Sequence, residues 1–140
     1  MDASDRQPWF RWALLVGVLY AIVGIVFGAL ANPSVTHQAV VMWRLAAWVV
    51  SAAVYAAHIG YEHFRLGNSP PSTALHVAVA AAVGAFGLAV AATVHSLWTA
   101  SGNPHLLRIA LVVWPVITGI PAFLVALAVT AVLARLVRKA

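Results

Sequence analysis

Between Trp43 and Arg65 the chain reads WRLAAWVVSAAVYAAHIGYEHFR, and its chemically capable residues recur at one spacing. Arg44, Trp48, Ser51, Tyr55, His58, Glu62 and Arg65 follow one another in alternating steps of four and three, the period of one helix face. Arg44 on that face can bind an anion, and His58 with Glu62 can hold or pass a proton. Trp48, Ser51 and Tyr55 can contact a ligand or ion between them. Glu62 is the only acidic residue after Asp5, four residues beyond His58 and three short of Arg65. At that spacing it reads either as a local clamp that satisfies the helix end or as a proton-handling partner of His58. Its place near the end of the span favours the clamp.

The six histidines fall into two layers. His58, His63 and His76 belong near one membrane surface, and His37, His95 and His105 near the other. His58 and His76 stand at similar depth on antiparallel neighbours, so together they could ligate a b-type haem; His37 and His95 could form a second pair by the same logic. The layout is broadly similar to that of di-haem membrane cytochromes with four helices. It departs from them in spacing: 21 residues separate the histidines on the second span and 19 on the third. At 1.5 Å per residue that is roughly 30 Å along each axis, long for transfer between stacked haems, so the family is not carried over. The competing reading is that these are interfacial histidines that reach water or headgroups, above all His63 and His105. Arg44 and Arg108 enter their spans from the side of His37, His95 and His105. Together these could form a basic pocket for an anionic headgroup or substrate, with Trp48 offering a cation–π contact to Arg44. Otherwise both arginines snorkel to lipid phosphates.

Several kinds of chemistry are excluded. The chain has no cysteine, which removes disulfides, thiolate metal sites, iron–sulfur clusters and cysteine nucleophiles. No nucleophile elbow, zinc-protease motif, phosphate loop or carboxylate pair occurs, so catalysis is not expected and neither is a metal site. The net charge of +5 comes from basic residues at the ends of apolar segments, with no patch for nucleic acid.

Lipid is the solvent that this composition fits. Of 140 residues, 64% are hydrophobic and 8% charged, against about 25% charged in a soluble domain. The first span, about 13–31, follows an anchor of Trp9, Phe10 and Trp12 and carries small residues at Gly17, Ala21, Gly24 and Gly28. Ala29-Leu30-Ala31 resembles a signal-peptide cleavage site, but the apolar run exceeds a signal's usual ~7–15 residues, which favours a retained helix. Asn32-Pro33-Ser34 makes a turn before the second span, about 38–61. FRLGNSPPS is the strongest break, with Ser72 or Thr73 as the expected cap of the third span, about 74–100. Ala80, Gly84, Gly87 and Ala91 line one side of that span. The fourth, about 107–133, contains Pro115 and Pro121, which predict a kink or local unwinding.

The expected fold is an all-α integral membrane domain over residues 1–140, with four transmembrane helices in an up-and-down bundle organised around the second span. Arg6, Arg11, Arg65, Arg135, Arg138 and Lys139 share one side, which places both termini in the cytoplasm. Asn32–Trp43 aligned with Asn103–Trp114 gives five identities in twelve, a faint repeat that would make two parallel-oriented helical hairpins. The function that follows is a non-catalytic packing or assembly subunit, or one that binds a lipid or small ligand. Its partners would be the bilayer and a second copy or a larger membrane complex, and its location the bacterial inner membrane. Two alternatives stand beside it. One is an electron-transfer subunit with haem at His58 and His76; the other is a small transporter or channel along the Arg44–Glu62 face.

Overall fold

The structure, a computed structural model, describes residues 7–31 and 36–137. Asp2, Asp5, Arg6, the Asn32-Pro33-Ser34 turn, Arg138 and Lys139 lie outside the described residues. Four helices account for nearly everything else: α1 (Gln7–Leu30), α2 (His37–Gly60), α3 (Pro70–Trp98) and α4 (Pro104–Val137). A single π-helical turn, Tyr61–Arg65, extends α2. Each helix, with α2 counted through its π turn, is long and apolar enough to cross a membrane.

Local chemistry sets the helix ends. Thr36 caps α2 by accepting a hydrogen bond from the Ala39 amide. Gly67 adopts φ +62°, a left-handed conformation that costs glycine little, and it turns the chain after the π turn. The third helix begins earlier than expected, because Pro70 and Pro71 occupy its first positions, where no amide hydrogen is needed. Ser69 therefore stands at the N-cap in place of Ser72 or Thr73, and Thr73 becomes fully buried. Asn103 accepts from the His105 amide at 2.9 Å and starts α4. Pro115 and Pro121 sit inside α4, which runs on as one helix, so the expected local unwinding does not occur.

The central element is α3, not α2. Eight α3 residues are buried (Thr73, Ala74, Val77, Ala78, Ala80, Gly84, Ala85 and Ala89), whereas α2 buries only His58 and Ile59. Helix α1 lies along one side of α3, and α4 along another. The α1–α3 seam is glycine-lined: a Cβ on Gly17 would lie 2.6 Å from Val83, and one on Gly84 would lie 2.6 Å from the Tyr20 Cβ. Gly119 plays the same part toward Ala82 on the α4 side. The residues inside are mostly small, and the large apolar ones (Leu, Ile, Val and Trp) mostly face outward. That inside-out sorting is how helices pack in lipid, where apolar surface need not be hidden and close backbone approach provides the attraction.

Helix α2 packs chiefly on α1, with Phe27 against Trp43 at one end and Trp12 against Tyr61 at the other. It reaches α3 and α4 toward its π-turn end. There Ile59 joins Ala74, Val77 and Ala126, with Tyr55, Phe123 and Leu127 around them. The Tyr55 hydroxyl donates to the Ala122 carbonyl of α4.

Candidate functional site

Glu62 is the centre of the most developed polar cluster in the described molecule. It stands in the π turn and is 1% exposed. Its carboxylate oxygen Oε2 accepts from the Asn68 side-chain amide and lies 2.9 Å from Nδ1 of His76. The other oxygen, Oε1, lies 3.6 Å from Nε2 of His58, one turn up the same helix. That is within ion-pair reach but too long for a hydrogen bond. The Asn68 amide also donates to the Glu62 carbonyl at 3.2 Å, so one loop residue holds Glu62 at both backbone and side chain. Trp9 of α1 stacks flat on the His76 ring, with centroids 4.4 Å apart and planes within 9°.

The local sequence explains this convergence. His58 and Glu62 share a face through their four-residue spacing, and the loop from Leu66 to Ser69 is short enough to return Asn68 beneath them. In the π turn the Leu66 amide bonds to the Tyr61 carbonyl, one residue further back than in an α-helix. Single π turns of this kind are common at functional sites. A buried carboxylate is stable only when its lone pairs are met, and Asn68 and His76 meet those of Oε2 here.

Other buried polar atoms lie on the elements that form this cluster. Neither ring nitrogen of His58 has a hydrogen-bond partner, and the same holds for Nδ1 of His63, the Thr73 hydroxyl and the Tyr20 hydroxyl. His58 and Thr73 belong to the same two helices as the Glu62–His76 contact, and each lies about one turn from it.

The sequence-derived face on α2 divides into two parts. Ser51 and Tyr55 are half-buried and His58 and Glu62 are buried, but Arg44 and Arg65 are exposed and Trp48 is 76% exposed. Among the described residues no ring contact joins Arg44 to Trp48, and Arg108 is exposed on α4. His37, His95 and His105 are exposed. His63 is half-buried and rests edge-on against Phe64.

His58 and His76 do come together, but not as haem ligands. Both turn toward one carboxylate, which lies between them where a macrocycle would have to sit, and Trp9 covers one face of His76. The residues do not fit a bis-histidine haem. Asn68 and Trp9 went unrecognised in the sequence, the first read only as a turn former and the second as an interfacial anchor. Asn68 carried one usable signal, since an amide six residues beyond a lone buried acid is in reach of it across a short turn. Compared with known proteins, the chain matches no family, no curated protein and no solved structure.

Proposed function

We propose that this is a small multi-pass subunit of the bacterial inner membrane, without catalytic activity of its own, that packs against another membrane protein or a second copy of itself. Its helices form an up-and-down bundle, and both termini face the cytoplasm, following the excess of Arg11, Arg65 and Arg135 at the end that holds Glu62.

The outer half of α2 carries this proposal. Met42, Leu45, Trp48 and Val49 are 59–76% exposed, and they stand on the one helix that meets α3 and α4 only toward its other end. Arg44 lies among them, exposed, and an arginine at membrane depth is costly unless an anionic group or the headgroup layer meets it. A neighbouring helix with a polar contact for Arg44 satisfies both features. Transport along the whole face is less well supported, because its Arg44–Trp48 half turns away from the bundle.

The chain has no cysteine, so introduced ones report alone. Photo-crosslinkers attached at Leu45→Cys and Trp48→Cys in native membranes should give a discrete protein adduct, and Leu124→Cys on α4 should not. An adduct at twice the chain's mass identifies a homodimer. Lipid adducts alone from all three positions overturn assembly and leave lipid binding.

A further inference from the structure

We propose that Glu62, His58 and His76 form a proton-binding site, in which one buried carboxylate holds a proton in common with two imidazoles. This goes beyond an assembly role and does not depend on it.

The geometry distinguishes such a site from a simple clamp. A clamp needs His76 and Asn68, and those two already meet Oε2. His58 stands outside that pair of contacts: 6% exposed, it has no hydrogen bond at either ring nitrogen, yet Nε2 lies 3.6 Å from Oε1. Burying an imidazole without hydrogen bonds beside a carboxylate is unfavourable as a purely structural choice. It becomes favourable when a proton arrives, because the imidazolium then faces Oε1 of an anion in a medium of low dielectric.

The charge balance points the same way. With both histidines neutral the buried cluster is singly negative, and a lone buried charge is expensive. One proton from the aqueous end makes it neutral; it adds to a ring nitrogen, and no other bond forms or breaks. His76 is the natural point of entry, since its side chain is 12% exposed against 4% for His58 and 1% for Glu62. Trp9, stacked on that ring, shields one face of it.

Among the described residues, the side chains set against the carboxylate are the two histidines and Asn68. Asn68 from the loop is uncharged, and Thr73 from α3 and Thr130 from α4 carry no charge. Thr130 is bonded to the Ala126 and Leu127 carbonyls of its own helix. His63 is half-buried against Phe64, and Arg65 and Arg135 are exposed. A metal is a poorer fit than a proton, because among the described residues no three His, Asp or Glu side chains are arranged to hold one.

Coupled sites titrate together, each reporting the inflections of the whole. The test is nitrogen-15 NMR of histidine-labelled protein in lipid nanodiscs across pH. His58 and His76 should each show two inflections at the same pH values, while His63 shows one. In Glu62→Gln the two curves should separate into independent single steps. Single, unrelated curves for His58 and His76 in the wild type overturn the proposal, as do curves that Glu62→Gln leaves unchanged. Should Glu62→Gln not fold, Asn68→Ala keeps the carboxylate and removes one donor from Oε2. It should then shift both curves together, and a shift in neither or in only one overturns the proposal.

Discussion

Two glycines on the same architecture should respond in opposite ways to the same substitution, and the structure supplies the reason. A Cβ on Gly84 meets the Tyr20 Cβ at 2.6 Å and the Gly17 carbonyl at 3.1 Å; one on Gly28 meets nothing within 4 Å. Neither neighbour of Gly84 is the far end of a flexible side chain, so α1 and α3 must move apart. Overpacking of this kind costs about 1–3 kcal/mol. Alanine in a helix gains about 0.5–1 kcal/mol over glycine, a gain common to both sites. Gly28→Ala should therefore be neutral or slightly stabilising, and Gly84→Ala destabilising by about 1–2 kcal/mol net. The two variants should differ by about 2 kcal/mol, roughly 30-fold in the folding equilibrium. Reversible unfolding in mixed micelles, followed by circular dichroism, measures the difference. Equal shifts in the two variants, or a Gly84→Ala protein as stable as the wild type, would refute a tight α1–α3 seam.

Tyr55→Phe removes the hydroxyl that donates to the Ala122 carbonyl and so ties α2 to α4. The same unfolding assay should register a loss of about 0.6 kcal/mol, the membrane average, and at most about 1.7 kcal/mol. Asn68→Ala removes a donor from Glu62 Oε2 while leaving the backbone bond to the Glu62 carbonyl in place. Hydrogen exchange should accelerate between Tyr61 and Asn68 and stay unchanged in the Gly84 region; protection unchanged in both would remove Asn68 from the clamp. Reporter fusions after Ser69 and after the C-terminus should both read cytoplasmic, and a periplasmic signal at either reverses or breaks the orientation.

The spans were legible because hydropathy and the Gly–Pro breaks are properties of contiguous residues, and lipid demands continuity. Intrahelical chemistry was legible for a similar reason. His58 and Glu62 are four apart, and any helix brings them together. The depth match of His58 with His76 could also be read, from loop length and antiparallel order. What it was for could not, because periodicity says nothing of the carboxylate's direction across the gap. Asn68 and Trp9 reach the site through a loop and a third helix, and neither contact leaves a pattern within one segment. The central helix was misjudged for a different reason. The polar face of α2 draws attention in an apolar chain, but in lipid the strongest packing signal is small residues. Helix α3 carries them toward both neighbours, with Gly84 and Gly87 facing α1 and Ala78 and Ala82 facing Gly119 of α4.

The division of α2 follows from that arrangement. Helix α3 gives one side to α1 and another to α4, leaving α2 to seat on α1 and to close against α3 and α4 toward one end. A buried carboxylate must be surrounded by protein donors, so Glu62 can stand only where several elements converge. That point is the π turn, where Trp9, Asn68 and His76 arrive from α1, the loop and α3. Arg44, at the other end, tolerates the opposite setting, because a long side chain can carry its charge out to the headgroups. The regular polar spacing along α2 thus serves two environments. From Ser51 to Glu62 it is met by the chain's own helices, and from Arg44 to Trp48 it is turned outward. A change that pulled the outer half onto α3 would have to displace residues already spent on α1 or α4, so that half rests on α1, with Trp43 against Phe27.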